Sequence, residues 1–134
     1  MANMEDIRWK QRFQNFEQSL KFLEQAVEIK NPSIVEKAGT IQFFEICFEL
    51  SWKVLKDYLT EQGFADLKFP REIIKKAFEV NLIDDGQIWL EALANRNLTA
   101  HTYDEEVADR VVRDIKGKYY PELMTLHQSL KKSL

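Results

Sequence analysis

The stretch Phe43–Leu59, FFEICFELSWKVLKDYL, decides the fold. Together with Ile41 just ahead of it, Phe44, Phe48, Leu55 and Leu59 recur at spacings of three, four and seven. That is the period of a helix with one apolar stripe, not the two-residue alternation of a strand. Trp52 and Tyr58 flank the stripe, and Gly63 is placed to end the helix because glycine tolerates the left-handed conformation of a C-terminal stop. The rings in FFEICFELSW occupy more than one side of the helix, so part of them is available to a partner surface or to a generous core. Glu45 and Glu49, four residues apart, share one face, where they line a cleft, meet a partner or simply face water.

Upstream, Phe13, Phe16, Leu20, Leu23 and Val27 predict a helix from about Asp6 to Ile29. Pro32 breaks it, and Ser33 with Glu36 forms a capping box for the helix that follows, whose first turns near Gly39 and Thr40 are the place for fraying or for a late start. Downstream, Pro70 suits a first helical position, and Ile73, Ile74, Ala77 and Phe78 give a short third helix ended by NLIDDG. A fourth, from about Gln87, carries Ile88, Leu90, Ala92 and Leu93. Thr102 with Glu105 reads as a second capping box, so a last long helix should start near Tyr103, bury Val107, Val111, Ile115 and Tyr119, and kink at Pro121 before Leu123, Leu126 and Leu130 resume the stripe. The expected fold is therefore all-α, an up-and-down bundle of about five helices forming one domain over residues 1–134.

Composition narrows the function. The chain has 134 residues, 31% of them charged, and a formal net charge of −3. That balance argues against coating nucleic acid through an overall basic field, and leaves room only for a focused cationic site. Cys47 is the single cysteine, which excludes a disulfide framework within the chain and predicts a small buried hydrophobe. The polar N-terminus is unlike a signal peptide and no apolar run reaches membrane-spanning length, so a cytoplasmic protein without a membrane role is expected. Lys75, Lys76, Arg110, Arg113, Lys116 and Lys118 either rim an RNA path or are ordinary surface charge.

The chemistry concentrates in residues 94–106, ANRNLTAHTYDEE. On one unbroken helix Arg96 and His101 would stand about 140° apart. A helix ending near Leu98 and another beginning near Tyr103 lets both turn into one corner. Arginine offers a donor fork matched to phosphate, and histidine exchanges a proton near neutral pH, a pair suited to phosphodiester chemistry. RNA carries its own nucleophile in the 2′-hydroxyl, so proton transfer and charge stabilisation suffice and no metal or other cofactor is called for. The bland alternative pairs Arg96 with Asp104 or Glu105 and leaves His101 satisfying a helix end. A metal site is the weaker reading, because His127 is remote from His101.

Arg96, His101 and Tyr103 form an R-x4-H-x-Y run that resembles the signature of the HEPN family, and Asn97 matches the polar residue often found after that arginine. RWKQRFQNFEQSL, FFEICFELSWKVLKDYL and NRNLTAHTYDEE, in that order, resemble the nucleotidyltransferase substrate-binding protein group within it. The resemblance implies a dimeric HEPN-like helical domain with a four-helix bundle core, acting beside an MNT-type nucleotidyltransferase as a toxin–antitoxin pair. It implies metal-independent RNA cleavage in the manner of HepT-like toxins, with Arg96 stabilising phosphate, His101 as acid/base, and Asn97 and Thr99 as supporting hydrogen-bonders. It further implies Tyr103 as the site where the partner attaches AMP to silence the toxin. The same group name carries a rival expectation, a non-catalytic subunit that helps a two-component nucleotidyltransferase hold its substrate.

Overall fold

The computed structural model describes residues 4–133, with side chains described for 8–97 and 100–133. Among the described residues the helices are α1 (Met4–Val27), α2 (Ile34–Glu61), α3 (Pro70–Glu79), α4 (Gly86–Asn95), α5 (Glu105–Asp114) and α6 (Tyr120–Lys131). A π-helical turn, Ile115–Tyr119, joins α5 to α6 without a break, so the described residues fold as five helical rods in an all-α bundle, as expected.

Local chemistry sets the boundaries. The Ser33 hydroxyl accepts the Glu36 N–H at 3.1 Å, and the Glu36 carboxylate accepts the Ser33 N–H at 2.8 Å. This reciprocal cap fixes the start of α2 at Ile34, so the helix does not begin late near Gly39. Thr40 stays helical by donating its hydroxyl to the Glu36 carbonyl at 2.9 Å. At the other end Gly63 adopts φ +102°, the left-handed conformation that stops α2.

The disturbance expected at Pro121 is spread upstream. Proline has no N–H for the Gly117 carbonyl, and the helix widens before it, with the Tyr120 N–H reaching back five residues to the Ile115 carbonyl. Phe78, expected in the buried stripe of α3, is exposed instead. Ile73, Ile74 and Ala77 form the buried arc and Phe78 falls at its rim. In α4 the buried residues are Trp89 and Ala92, while Ile88, Leu90 and Leu93 are half-buried.

The core runs along α1 and α2 and under the α5–α6 rod. Phe13, Phe16, Phe44, Phe48, Trp89 and Tyr119 fill it, and Phe44 stacks on Tyr119 at 5.2 Å. With Trp9 these make seven buried rings among the sixteen aromatic residues, at roughly 1.5–3 kcal/mol for each large side chain removed from water. Cys47 is fully buried and its thiol is pushed up to about 12 by desolvation, so it is a packing residue and not a nucleophile. His127 pins α6 to α1: its Nε2 lies 2.8 Å from Glu17 Oε2 and its ring stacks on Phe13. Arg12 of α1 pairs with Asp57 of α2 at 3.0 Å, and Lys37 of α2 with Asp109 of α5 at 2.6 Å.

Candidate active site

Asp85 starts α4 by accepting the Ile88 N–H at 3.2 Å, and the helix ends at Asn95 with Arg96 as its C-terminal cap. A single 3₁₀ turn, Leu98–His101, follows. The cap of α5 is Asp104 and not the expected Thr102, so the helix begins at Glu105, two residues later than Tyr103. Asp104 Oδ1 accepts the N–H groups of Glu106 at 3.0 Å and Val107 at 3.4 Å. A carboxylate at that position also meets the positive end of the helix dipole, which a threonine hydroxyl cannot do. The broken connection that lets Arg96 and His101 leave one helical geometry is therefore present.

Arg96 is half-buried, and its Nη1 donates to Glu49 Oε1 of α2 at 3.0 Å. The second Glu49 oxygen accepts the Trp52 indole N–H at 3.1 Å. Arg96 is thus paired, but with a carboxylate 47 residues away and not with Asp104 or Glu105. Asp104 is occupied as a cap, and only tertiary packing brings α2 to the end of α4. His101 is exposed, and its ring lies 6.1 Å from that of Tyr103, which is 83% exposed. Asn97 is exposed as well. The side chain of Thr99 lies outside the described residues.

Sequence reasoning missed the brace beneath Arg96. Asn95 Nδ2 donates to the Tyr119 hydroxyl at 2.8 Å, and that hydroxyl donates to Glu91 Oε2 at 3.0 Å. Lys118 Nζ reaches the same carboxylate at 3.3 Å. Burial, chiefly, pushes the Tyr119 phenol up to about 12, so it remains a donor throughout the physiological range. The brace ties the last turn of α4, directly before Arg96, to the π turn. Tyr119 was legible as a stripe residue, while the π turn that aims its hydroxyl was not. π turns of this kind recur where a helix serves a site.

Of the basic groups that were candidates for an RNA rim, Lys76 pairs with Glu79 at 2.8 Å and Lys118 with Glu91. Arg110 and Arg113 share a shallow hollow with Glu106 and Asp109. These positions read as mixed surface charge. Among the described residues no cluster of three or more histidine, cysteine, aspartate or glutamate side chains is placed to hold a metal ion, and no helix is long and apolar enough to cross a membrane.

A protein-family model described as "Nucleotidyltransferase substrate binding protein like" matches residues 11–132. A Haemophilus influenzae protein named "Probable ribonuclease HepT" is 37% identical over 97 residues, covering 63% of this chain and 62% of that protein. The match therefore spans less than two thirds of that relative's length. A solved structure from Thermus thermophilus has 32% identity and a TM-score of 0.74, covering 88% of this chain and 97% of that one. A second, from Haemophilus influenzae, has 30% identity and a TM-score of 0.67, covering 92% and 96% respectively. Its description gives it the fold of a substrate binding domain of a nucleotidyltransferase. These matches bear out the resemblance to the HEPN, HepT-like group.

Proposed function

Because this chain belongs to the nucleotidyltransferase substrate binding protein like family, we propose that it is a HepT-like toxin, a metal-independent endoribonuclease acting in the cytoplasm and held in check by a partner nucleotidyltransferase. The observation that carries the reading is the connection between α4 and α5. It displays His101 to solvent with Tyr103 beside it, five residues after an arginine that α2 holds in place.

In this reading His101 removes the proton of a ribose 2′-hydroxyl, whose oxygen attacks the adjacent phosphorus. Arg96 stabilises the charge that develops on the phosphate oxygens, and the 5′-oxygen of the next nucleotide leaves with a proton. The products end in a 2′,3′-cyclic phosphate and a 5′-hydroxyl. Asn97 and Thr99 assist by hydrogen bonding. A two-fold dimer brings two such corners together, so that one histidine acts as base and the other as acid. The exposed Phe22 and Ile46, with Phe22 packed against Phe43 at 5.6 Å, supply apolar surface for association. Tyr103 is the acceptor for AMP: its oxygen displaces pyrophosphate from ATP, and the added charge and bulk close the site to RNA.

The test is cleavage by partner-free, unmodified protein in excess chelator, beside His101→Ala, with the product 3′ ends identified. Cyclic-phosphate ends, and a loss of roughly 10²–10⁴ in rate without the imidazole, are expected. The family description and that of the second solved structure favour one other reading, a non-catalytic subunit that holds substrate for a nucleotidyltransferase. A folded dimer that cuts no RNA but raises the partner's turnover selects it.

A further inference from the structure

A cationic pocket lies where α1 crosses the second half of α2, outside the Arg96 corner. Arg8 and Arg12, four residues apart on α1, face Lys56 and Thr60, four apart on α2. With Asp57 and Ala65 they line a cavity of about 280 Å³. Arg12 Nη1 holds the two Asp57 oxygens at 3.1 and 3.0 Å, which neutralises one charge of each sign. Among the described residues no carboxylate is paired with Arg8 or Lys56 in this way, and both lie near enough to act on the Asp57 carboxyl, which burial pushes up against the pull of Arg12, Arg8 and Lys56. In a chain of net charge −3, such a surplus gathered around a hollow stands apart from the mixed pairs elsewhere.

The pocket is in register with the candidate active site. Glu49 and Lys56 are seven residues apart on α2, which places them within about 20° of one another around the helix and about 10 Å along it. Glu49 holds Arg96, so one face of α2 runs from the proposed catalytic arginine to Lys56. Between them lies Trp52, half-buried, with Lys53 Nζ 5.8 Å from its ring centroid. A strip of cations interrupted by an aromatic face is how proteins follow a single strand, the charges tracking phosphates and the ring stacking on a base.

We infer that Arg8, Lys56 and the hollow between α1 and α2 are a phosphate subsite for single-stranded RNA, engaging the strand a few nucleotides from the bond next to Arg96 and His101, with Trp52 as the base platform between them. This rests on the ribonuclease reading of the active site. A concave pocket lined by Arg8, Arg12 and Lys56 suits a phosphate of a single strand better than the broad acidic face of a protein.

The experiment uses a short fluorescein-labelled single-stranded oligoribonucleotide, 2′-O-methylated so that it cannot be cut. Its binding across a salt series is compared for the whole protein and for Arg8→Gln/Lys56→Gln, in parallel with cleavage of the unmethylated strand. Affinity should fall about tenfold or more, with the log–log salt slope shallower by about 1.4, as two lost single-strand phosphate contacts require. The melting temperature should hold, and Arg8→Lys/Lys56→Arg should restore binding. If the unaltered protein cuts RNA and the double variant binds with the same affinity and slope, the subsite is wrong while the ribonuclease reading stands. Loss of nucleotidyltransferase binding with RNA binding intact makes the pocket a protein dock and also overturns it. If the unaltered protein neither binds nor cuts RNA, the ribonuclease reading fails and the subsite with it.

Discussion

Replacing Tyr119 by phenylalanine removes one oxygen and leaves the buried ring, its stacking on Phe44 and the core volume unchanged. What is lost is the donated bond to Glu91 at 3.0 Å and the accepted bond from Asn95 at 2.8 Å. A bond to a charged carboxylate contributes about 1.5–3 kcal/mol and one from a neutral amide about 0.5–1.5. Glu91 keeps Lys118 and water, so no orphaned charge is added, and the net cost should be about 2 kcal/mol. At about 2.1 cal/mol/K of unfolding entropy per residue over this chain, that lowers the melting temperature by about 7 °C. Because Asn95 immediately precedes Arg96, the loosened end of α4 should also slow RNA cleavage several-fold at temperatures where the variant stays folded. Calorimetry with parallel cleavage assays reads both. A variant that melts within about 1 °C of the unaltered protein would refute the claim that this brace holds the end of α4.

Ser33→Ala removes one half of the reciprocal cap and should lower stability by about 1 kcal/mol, seen as a reduced urea midpoint with an unchanged slope. Gly63→Ala places a Cβ at φ +102° with nothing nearby to compensate, and should cost at least about 1 kcal/mol in the same assay. Glu17 has its carboxyl held below the ordinary range, first by its bond to His127 and then by the charges of His127, Lys131 and Lys21. A depressed folded-state pKa gives stability that is fully present above the unfolded value and is lost as the pH falls through the folded one. The unaltered protein should therefore lose stability more steeply than Glu17→Gln as the pH drops below about 4.3, and equal acid slopes would count against the pair.

Much of this molecule is written locally. The stripe through Ile41, Phe44, Phe48, Leu55 and Leu59, the Ser33–Glu36 box and the stop at Gly63 specify helices through interactions a few residues long, and they appear where the periodicity puts them. The signature Arg96, His101 and Tyr103 is equally visible, since spacing and residue chemistry are properties of the chain itself. What sequence spacing misjudged were choices between local options of similar energy. Asp104 outcompetes Thr102 as the cap, a π turn absorbs Pro121, and Phe78 falls just outside the buried arc. Only the tertiary structure pairs Arg96 with Glu49, braces Asn95 through Tyr119 to Glu91, and sets Arg8 opposite Lys56. Each of those contacts joins residues 24 or more positions apart, and no helical period reaches that far. Their partners are selected by which faces α1, α2, α4 and the α5–α6 rod bury against one another, and a hydrophobic stripe dictates burial without dictating which polar groups meet at its edges.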